Sequence, residues 1–172
     1  FNFFNGRVEI DALNRMQYNV GTLGNHEFDN GIDTLAVILK DARFPLISSN
    51  YELENTPIKN LIQPYLILKK FGLKIGIMAL NVDPKSLIIE SNYRGLVYRD
   101  PIEKAQELSA FLKNKKKCDL VICLSHLGSD STSVDVNDFT VAHQTKHIDI
   151  ILGGHSHSLL ENVKTNNANG KK

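Results

Sequence analysis

Leu120-Val121-Ile122-Cys123-Leu124-Ser125-His126-Leu127-Gly128 joins a continuous apolar run to a histidine and a glycine. An unbroken apolar run of this length is typical of a strand covered on both faces, as in parallel sheets. The segment 148–152 is a second such run. Apolar residues recur at helical spacing over 8–16, 32–42, 101–112 and 136–147. Apolar strands that alternate with helices predict an α/β protein with a mainly parallel sheet between helices.

Shorter segments add strands to this prediction. Residues 18–23 end at Gly24, and 44–48 follow a predicted helix. The segments 65–69 and 74–80 meet around Gly72 and predict a hairpin. The stretch 81–100 is expected to be a long irregular connection, and loops of that length are often functional. No linker or repeat divides the chain, so we expect one domain over 1–172.

Composition excludes some function classes. The 172 residues are 42% hydrophobic and 23% charged, with a net charge of +1. That charge gives no broad argument for a nucleic-acid polymer or a membrane surface as partner. No apolar run approaches the ~20 residues of a membrane-spanning helix. Cys118 and Cys123 are about 16 Å apart if extended, which is too far for a disulfide between them.

Three predicted strands end in histidine beside glycine. The three stretches are Gly24-Asn25-His26-Glu27-Phe28-Asp29, Leu124-Ser125-His126-Leu127-Gly128 and Gly153-Gly154-His155-Ser156-His157. Ligands bind at the carboxyl ends of strands in α/β sheets, so these histidines are expected at one edge of one sheet. His155 and His157 are two residues apart and would point to the same side of an extended backbone.

The residue types at these strand ends predict a metal site. Imidazole is a common metal ligand, and the Asn25 side chain adds a carbonyl oxygen. Such a mixed nitrogen and oxygen site suits Zn, Mn, Fe or Co. His26 and Asp29 are three apart, so a helical turn would make them neighbours and the carboxylate would orient the imidazole. That pair suits stabilisation of a charged transition state, although Asp29 could instead cap the following helix.

Other candidates are weaker. His143 and His147 have the i, i+4 spacing of a helical metal site, but no glutamate adjoins His143 and the segment precedes a strand. Arg94 could face an anion, although a plain loop arginine is the better interpretation. The lysine-rich run 113–117 suits a solvated helix end.

At these residues the sequence resembles the metallophosphoesterases, and within them the 5′-nucleotidase and 2′,3′-cyclic-nucleotide phosphodiesterase family. The motifs at 24–29 and 153–157 are highly specific, and the motif at 124–128 supports both in the right order. The stretch from Tyr93 through Pro101 is also similar. The resemblance implies a two-sheet α/β/β/α sandwich and a nucleotide or other phosphate ester as substrate.

The resemblance also implies residue roles at a centre of two divalent ions (Zn, Mn, Co or Fe). Asn25, His126 and His155 would ligate one ion, and His157 the other. His26, oriented by Asp29, would contact the phosphoryl group and stabilise its charge.

The sequence departs from the family where further ligands are expected. The family domain begins with strands ending in Asp-x-His and Gly-Asp, and neither motif occurs here. We therefore expect residues 1–172 to form a partial, incomplete catalytic domain that holds at most one ion well and has low activity alone. We also expect these residues to lack the family's C-terminal substrate domain.

The motifs leave several functions open. The first is hydrolysis of nucleotide phosphate monoesters. A cyclic-nucleotide phosphodiesterase or a nucleotide-sugar pyrophosphatase would use the same centre, and a non-catalytic metal-binding or interaction fragment is a further alternative. The resemblance suggests a periplasmic or cell-surface location, while the residues themselves leave the compartment and the oligomeric state unknown.

Overall fold

The computed structural model of the protein describes residues 4–130, 135–161 and 163–170. The helices are α1 (Arg7–Arg15), α2 (Ile32–Ile38), α3 (Pro101–Ala110) and α4 (Asp138–Gln144). The strands are β1 (Gly21–Thr22), β2 (Leu46–Ile47), β3 (Tyr51–Glu52), β4 (Ile62–Gln63), β5 (Tyr65–Lys70), β6 (Leu73–Asn81), β7 (Val97–Tyr98), β8 (Leu120–His126) and β9 (Ile150–Leu152).

The strands form two main sheets. One is parallel, with the order β1-β2-β4, and the other has the order β5-β6-β8-β9. In the second sheet β6, β8 and β9 are parallel, and β5 pairs with β6 as the predicted antiparallel hairpin. Strands β3 and β7 form a small antiparallel pair.

Side-chain alternation along β8 explains how the layers stack. Val121 and Cys123 face α3 and α4 in one buried cluster. Leu124 points the other way and packs with Ile47 of β2 in the cluster between the sheets. The far side of the first sheet, including Leu46, packs against α1 and α2. The layers therefore run helix, sheet, sheet, helix, which confirms the α/β/β/α sandwich expected from the resemblance.

Two helices begin at residues that cap them. Asp100 accepts hydrogen bonds from the backbone N–H groups of Ile102 and Glu103, and Pro101 occupies the first helical position. Asn137 caps α4 in the same way. These caps fix where the helices covering the second sheet start.

Several boundaries differ from prediction. The strand expected at 18–23 is reduced to Gly21–Thr22, and the one expected at 44–48 to Leu46–Ile47. The helices expected over 32–42 and 136–147 are shorter, and 39–41 form a separate 3-10 turn. The connection 81–100 contains two 3-10 turns and β7. In these segments the apolar residues keep their regular spacing beyond the residue at which the helix or strand hydrogen bonding ends.

The prediction of one sheet carrying all three strand ends was wrong. β1 belongs to the first sheet, whereas β8 and β9 belong to the second. The histidine-bearing ends therefore meet across the sandwich rather than along one sheet. Cys118 and Cys123 are buried free thiols, as expected. No helix in the described part of the chain is long and apolar enough to cross a bilayer.

Candidate metal and phosphate site

The turn after β1 presents the first two candidate side chains. The Gly24 N–H donates to the Glu27 carboxylate, which closes the turn. Residues His26–Phe28 form a 3-10 turn, and Phe28 is completely buried. This buried anchor and the closing hydrogen bond hold Asn25 and His26 at the carboxyl end of β1. Burial is the main cause that raises the pKa of Glu27.

Asn25 and His126 converge from opposite sheets. Asn25 Oδ1 lies 3.1 Å from His126 Nε2. This is hydrogen-bond distance, and it is within a few tenths of an ångström of the roughly 3.4 Å between two ligands at about 2.1 Å from a tetrahedral ion. Gly24 permits the approach, because a Cβ there would lie only 2.6 Å from His126 Cε1 and Nε2.

His155 joins this pair from the loop after β9. Its ring centroid is 5.0 Å from that of His126, with the rings tilted at 62°. A Cβ at Gly154 would lie 3.3 Å from His126 Nδ1, and one at Gly128 would lie 3.4 Å from His155 Cδ2. The glycines beside these histidines therefore allow the imidazole rings to pack directly against the neighbouring backbone.

Electrostatics keeps the two partly buried imidazoles neutral. Burial lowers the pKa of His126 to about 4, and the positive charges that His155, His26 and His157 can carry add to the effect. Burial also lowers the pKa of His155, with smaller contributions from His157 and His26. Neutral imidazole is the form that binds metal, so this environment prepares both rings as ligands at neutral pH.

The backbone at His155 and His157 is not extended. Their φ angles are 72° and 53°, in the left-handed region that residues other than glycine rarely adopt. The expectation that both side chains leave an extended strand on one side was therefore wrong, because the chain turns directly after β9. Unfavourable backbone of this kind is often found at functional sites. His157 is exposed, at the rim of the cluster.

His26 and Asp29 form the expected pair. His26 Nδ1 lies 2.9 Å from Asp29 Oδ2, and the two side chains are 68% and 25% exposed. Asp29 does not cap α2, whose N-cap residue is Gly31. Asn92 Nδ2 donates to the Asp29 carbonyl oxygen and ties this turn to the connection 81–100.

The weaker candidates lie elsewhere. His143 Nε2 is 2.8 Å from Thr165 Oγ1, and α4 ends before His147, so these two histidines are not paired on one helix. Arg94 forms an ion pair with Asp33. Within 4–130, 135–161 and 163–170, no three His, Cys, Asp or Glu side chains form a metal-binding group. The candidate cluster has two imidazoles and one amide at its centre.

Sequence reasoning missed two supporting residues. Asn81 is fully buried at the end of β6 and pairs in register with His126. Its amide donates to Leu23 O and Thr22 Oγ1. Asp138 accepts a hydrogen bond from Ser125, the neighbour of His126. A polar residue that ends an apolar run, as Asn81 does, was the available signal; Asp138 had none in the sequence.

Comparisons with known proteins agree on one family. A profile described as calcineurin-like phosphoesterase matches residues 5–159. The chain is 35% identical to a 5′-nucleotidase of Vibrio cholerae over 86% of its own length and 28% of the relative's. It is 38% identical to a 2′,3′-cyclic-nucleotide 2′-phosphodiesterase/3′-nucleotidase of Haemophilus influenzae, covering 89% of itself and 25% of the relative.

A solved structure gives the same result. A 5′-nucleotidase precursor from Thermus thermophilus superimposes with a TM-score of 0.86 at 31% identity, over 99% of this chain and 35% of that one. The chain thus spans about a quarter to a third of the length of these proteins.

Proposed function

The chain belongs to the calcineurin-like phosphoesterase family, and we propose that it supplies part of a two-metal centre that hydrolyses nucleotide phosphate monoesters. Its relatives include proteins named 5′-nucleotidase, which supports a nucleotide phosphoester as the substrate class. Because the chain spans only 28% of the Vibrio cholerae relative, activity is proposed for the whole protein rather than for these residues alone.

The observation that carries this proposal is the convergence of Asn25, His126 and His155. Two of their donor atoms are 3.1 Å apart, and both rings have lowered pKa values. These three residues would hold one divalent ion, and His157 would contribute to a second. When bound, such ions activate a water molecule and neutralise phosphate oxygens.

His26 and Asp29 would act on the phosphoryl group. Asp29 holds the imidazole through Nδ1, so Nε2 remains available to donate to a phosphoryl oxygen when the ring is protonated. The exposed ring of His26 faces solvent at the same carboxyl end of β1 that carries Asn25. This arrangement orients a donor toward charge that develops in the transition state.

We further propose that residues 1–172 alone have low activity. A second ion would have His157 as its one proposed ligand from this chain, and an ion with one protein ligand binds weakly. These residues span a quarter to a third of the relatives' length, so we expect further substrate contacts to come from the remaining part of such a protein.

A second candidate is hydrolysis of cyclic-nucleotide diesters. The observation that favours it is the 38% identity to the 2′,3′-cyclic-nucleotide 2′-phosphodiesterase/3′-nucleotidase, slightly above that to the 5′-nucleotidase. The two reactions share the same chemistry at the ions, so the residues described above serve either.

The test is phosphate release with Mn²⁺, Zn²⁺ or Co²⁺. We would assay the purified chain and a chimera in which it replaces the matching part of the Vibrio cholerae 5′-nucleotidase. We expect little AMP hydrolysis by the chain and metal-dependent hydrolysis by the chimera. His126→Ala should abolish the chimera's activity, while His143→Ala, which removes an exposed histidine outside the candidate cluster, should preserve it.

Three outcomes would change the proposal. A folded chimera that binds metal but does not hydrolyse AMP, p-nitrophenyl phosphate or a diester would favour the non-catalytic alternative. Turnover of AMP by the isolated chain at the chimera's rate would refute the proposed low activity. A preference for bis-p-nitrophenyl phosphate over p-nitrophenyl phosphate would favour the diester reaction.

A further inference from the structure

Asp138, the first residue of α4, contacts both strand ends that carry the central histidines. Its carboxylate Oδ1 accepts the hydrogen bond of Ser125 Oγ, one residue before His126 on β8. Its other oxygen, Oδ2, lies against Gly153, two residues before His155, at a place that a Cβ would occupy. One carboxylate therefore touches the ends of β8 and β9 at once.

The backbone of Asp138 adds a third contact. Its N–H donates to the Gly128 carbonyl oxygen at 2.8 Å, in the loop that follows His126. Gly128 in turn lies beside the His155 ring, since a Cβ there would be 3.4 Å from Cδ2. The start of α4 thus adjoins both histidine-bearing loops from the helical side of the sheet.

We propose that Asp138 is a positioning residue that sets the separation of the His126 and His155 rings. The β8–β9 register ends at Leu124 opposite Leu152, although β8 stays paired with β6 as far as His126. Beyond that β8–β9 pair, the Asp138 carboxylate connects Ser125 to Gly153 just before the two histidines. Farther along the loops, the Ser129 N–H donates to Ser156 Oγ at 3.1 Å. Gly153 is glycine because the carboxylate needs the space beside its Cα.

Asp138 is suited to this role by its surroundings. It is partly buried beneath the site, where a hydrogen bond to a charged group is stronger than at the surface. Residues that orient metal ligands typically change metal affinity by about 10–100-fold when removed. The effect on ion binding rests on the proposed function, whereas the ring separation is a property of the metal-free chain.

The primary experiment measures ring geometry without metal. In the purified metal-free chain, NMR should show a cross-relaxation signal between the ring protons of His126 and His155, whose centroids are 5.0 Å apart. Asp138→Ala should lose this signal. Asp138→Asn keeps an acceptor for Ser125 and a similar shape, so it should retain the signal.

Asp100→Ala is the matched control. It makes the same substitution at the start of α3, on the same face of the sheet, and removes a helix cap without touching either histidine-bearing loop. It should lower the melting temperature and keep the ring-to-ring signal. Loss of the signal in Asp100→Ala, or its retention in Asp138→Ala, would overturn the positioning role.

Metal titration separates this proposal from the proposed function. Asp138→Ala should weaken Co²⁺ binding by about 10–100-fold, with Asp138→Asn near wild type. If the wild-type chain binds no Co²⁺ while Asp138→Ala still loses the ring signal, positioning stands and the ligand assignment fails. If Asp138→Ala does not fold, Ser125→Ala removes the other half of the same hydrogen bond, and an unchanged ring signal there would refute the proposal.

Discussion

Gly24→Ala tests whether close packing against His126 sets the ligand geometry. The added Cβ would lie 2.6 Å from His126 Cε1 and Nε2 and 3.0 Å from Glu27 Oε2. Carbon atoms in contact are about 3.5 Å apart or more, so the ring must withdraw by about 1 Å. Such overpacking costs about 1–3 kcal/mol of stability.

The displacement has a direct consequence for metal binding. If the ring moves about 1 Å away from Asn25, the 3.1 Å separation of Asn25 Oδ1 and His126 Nε2 becomes about 4 Å, which exceeds the separation of about 3.4 Å between two ligands at about 2.1 Å from a tetrahedral ion. We therefore expect Gly24→Ala to lower Co²⁺ affinity by at least about tenfold, measured by titration calorimetry and visible absorption.

Gly21→Ala is the matched control. Gly21 lies in β1, just before the turn that holds Gly24, and its added Cβ would meet Phe44 Cε2 at 3.1 Å and Leu46 Cδ2 at 3.2 Å, away from the histidines. It should lower the melting temperature but preserve metal affinity. Wild-type Co²⁺ affinity in a folded Gly24→Ala chain would refute the packing argument.

Three further predictions concern stability and chemistry. The folded-state pKa of His126 is about 4, against an ordinary 6.5, so the unfolded chain binds more protons than the folded chain between these pH values. The free energy of unfolding of the metal-free chain should therefore fall by up to about 3 kcal/mol as the pH drops from 6.5 to 4. Urea unfolding at pH 6.5 and pH 4 measures this loss, and a His126→Gln chain that shows the same pH dependence would contradict the prediction. His26→Ala in the active chimera should lower kcat by about 10²–10⁴-fold and leave Co²⁺ affinity unchanged. Asp29→Asn should lower kcat by a smaller factor. A loss of Co²⁺ affinity in His26→Ala as large as the loss of kcat would instead make His26 a metal ligand. Asn81→Ala should lower the free energy of unfolding in urea by about 2–4 kcal/mol, because it leaves the buried Ser48 hydroxyl and the Leu23 carbonyl without their hydrogen bonds to the Asn81 side chain; a change below about 0.5 kcal/mol, the ordinary surface range, would contradict that role.

Hydrophobic periodicity was sufficient to predict the longer helices and strands. The hairpin of β5 and β6, the start of α3 at Asp100 and the buried strand β8 follow from apolar spacing and capping. Strands β3, β4 and β7 were missed, because each has two residues and so no period to detect.

The separation into two sheets could not be predicted from spacing. β1 is a strand because Gly21 and Thr22 pair with β2, and nothing in its own sequence selects that partner over β8. The three histidine motifs indicated that the strand ends meet, but only the pairing determines that Asn25 reaches His126 from the opposite sheet.

Side-chain geometry at the site depends on backbone that the motifs do not describe. The left-handed φ of His155 follows from the turn that begins at Gly153, whereas the sequence alone suggested extended backbone. Asp138 reaches Ser125 across 13 positions of sequence through the placement of α4. Contacts of this kind arise from tertiary packing and leave no local pattern.

The most direct test of the account is the stoichiometry of metal binding by the purified chain. We predict that Co²⁺ titration, followed by absorption and calorimetry, shows a single ion per chain, and that Asn25→Ala, His126→Ala and His155→Ala each weaken its binding, whereas His143→Ala does not. Absence of Co²⁺ binding by the folded wild-type chain, or binding that survives all three substitutions, would contradict the assignment of these residues to a metal centre.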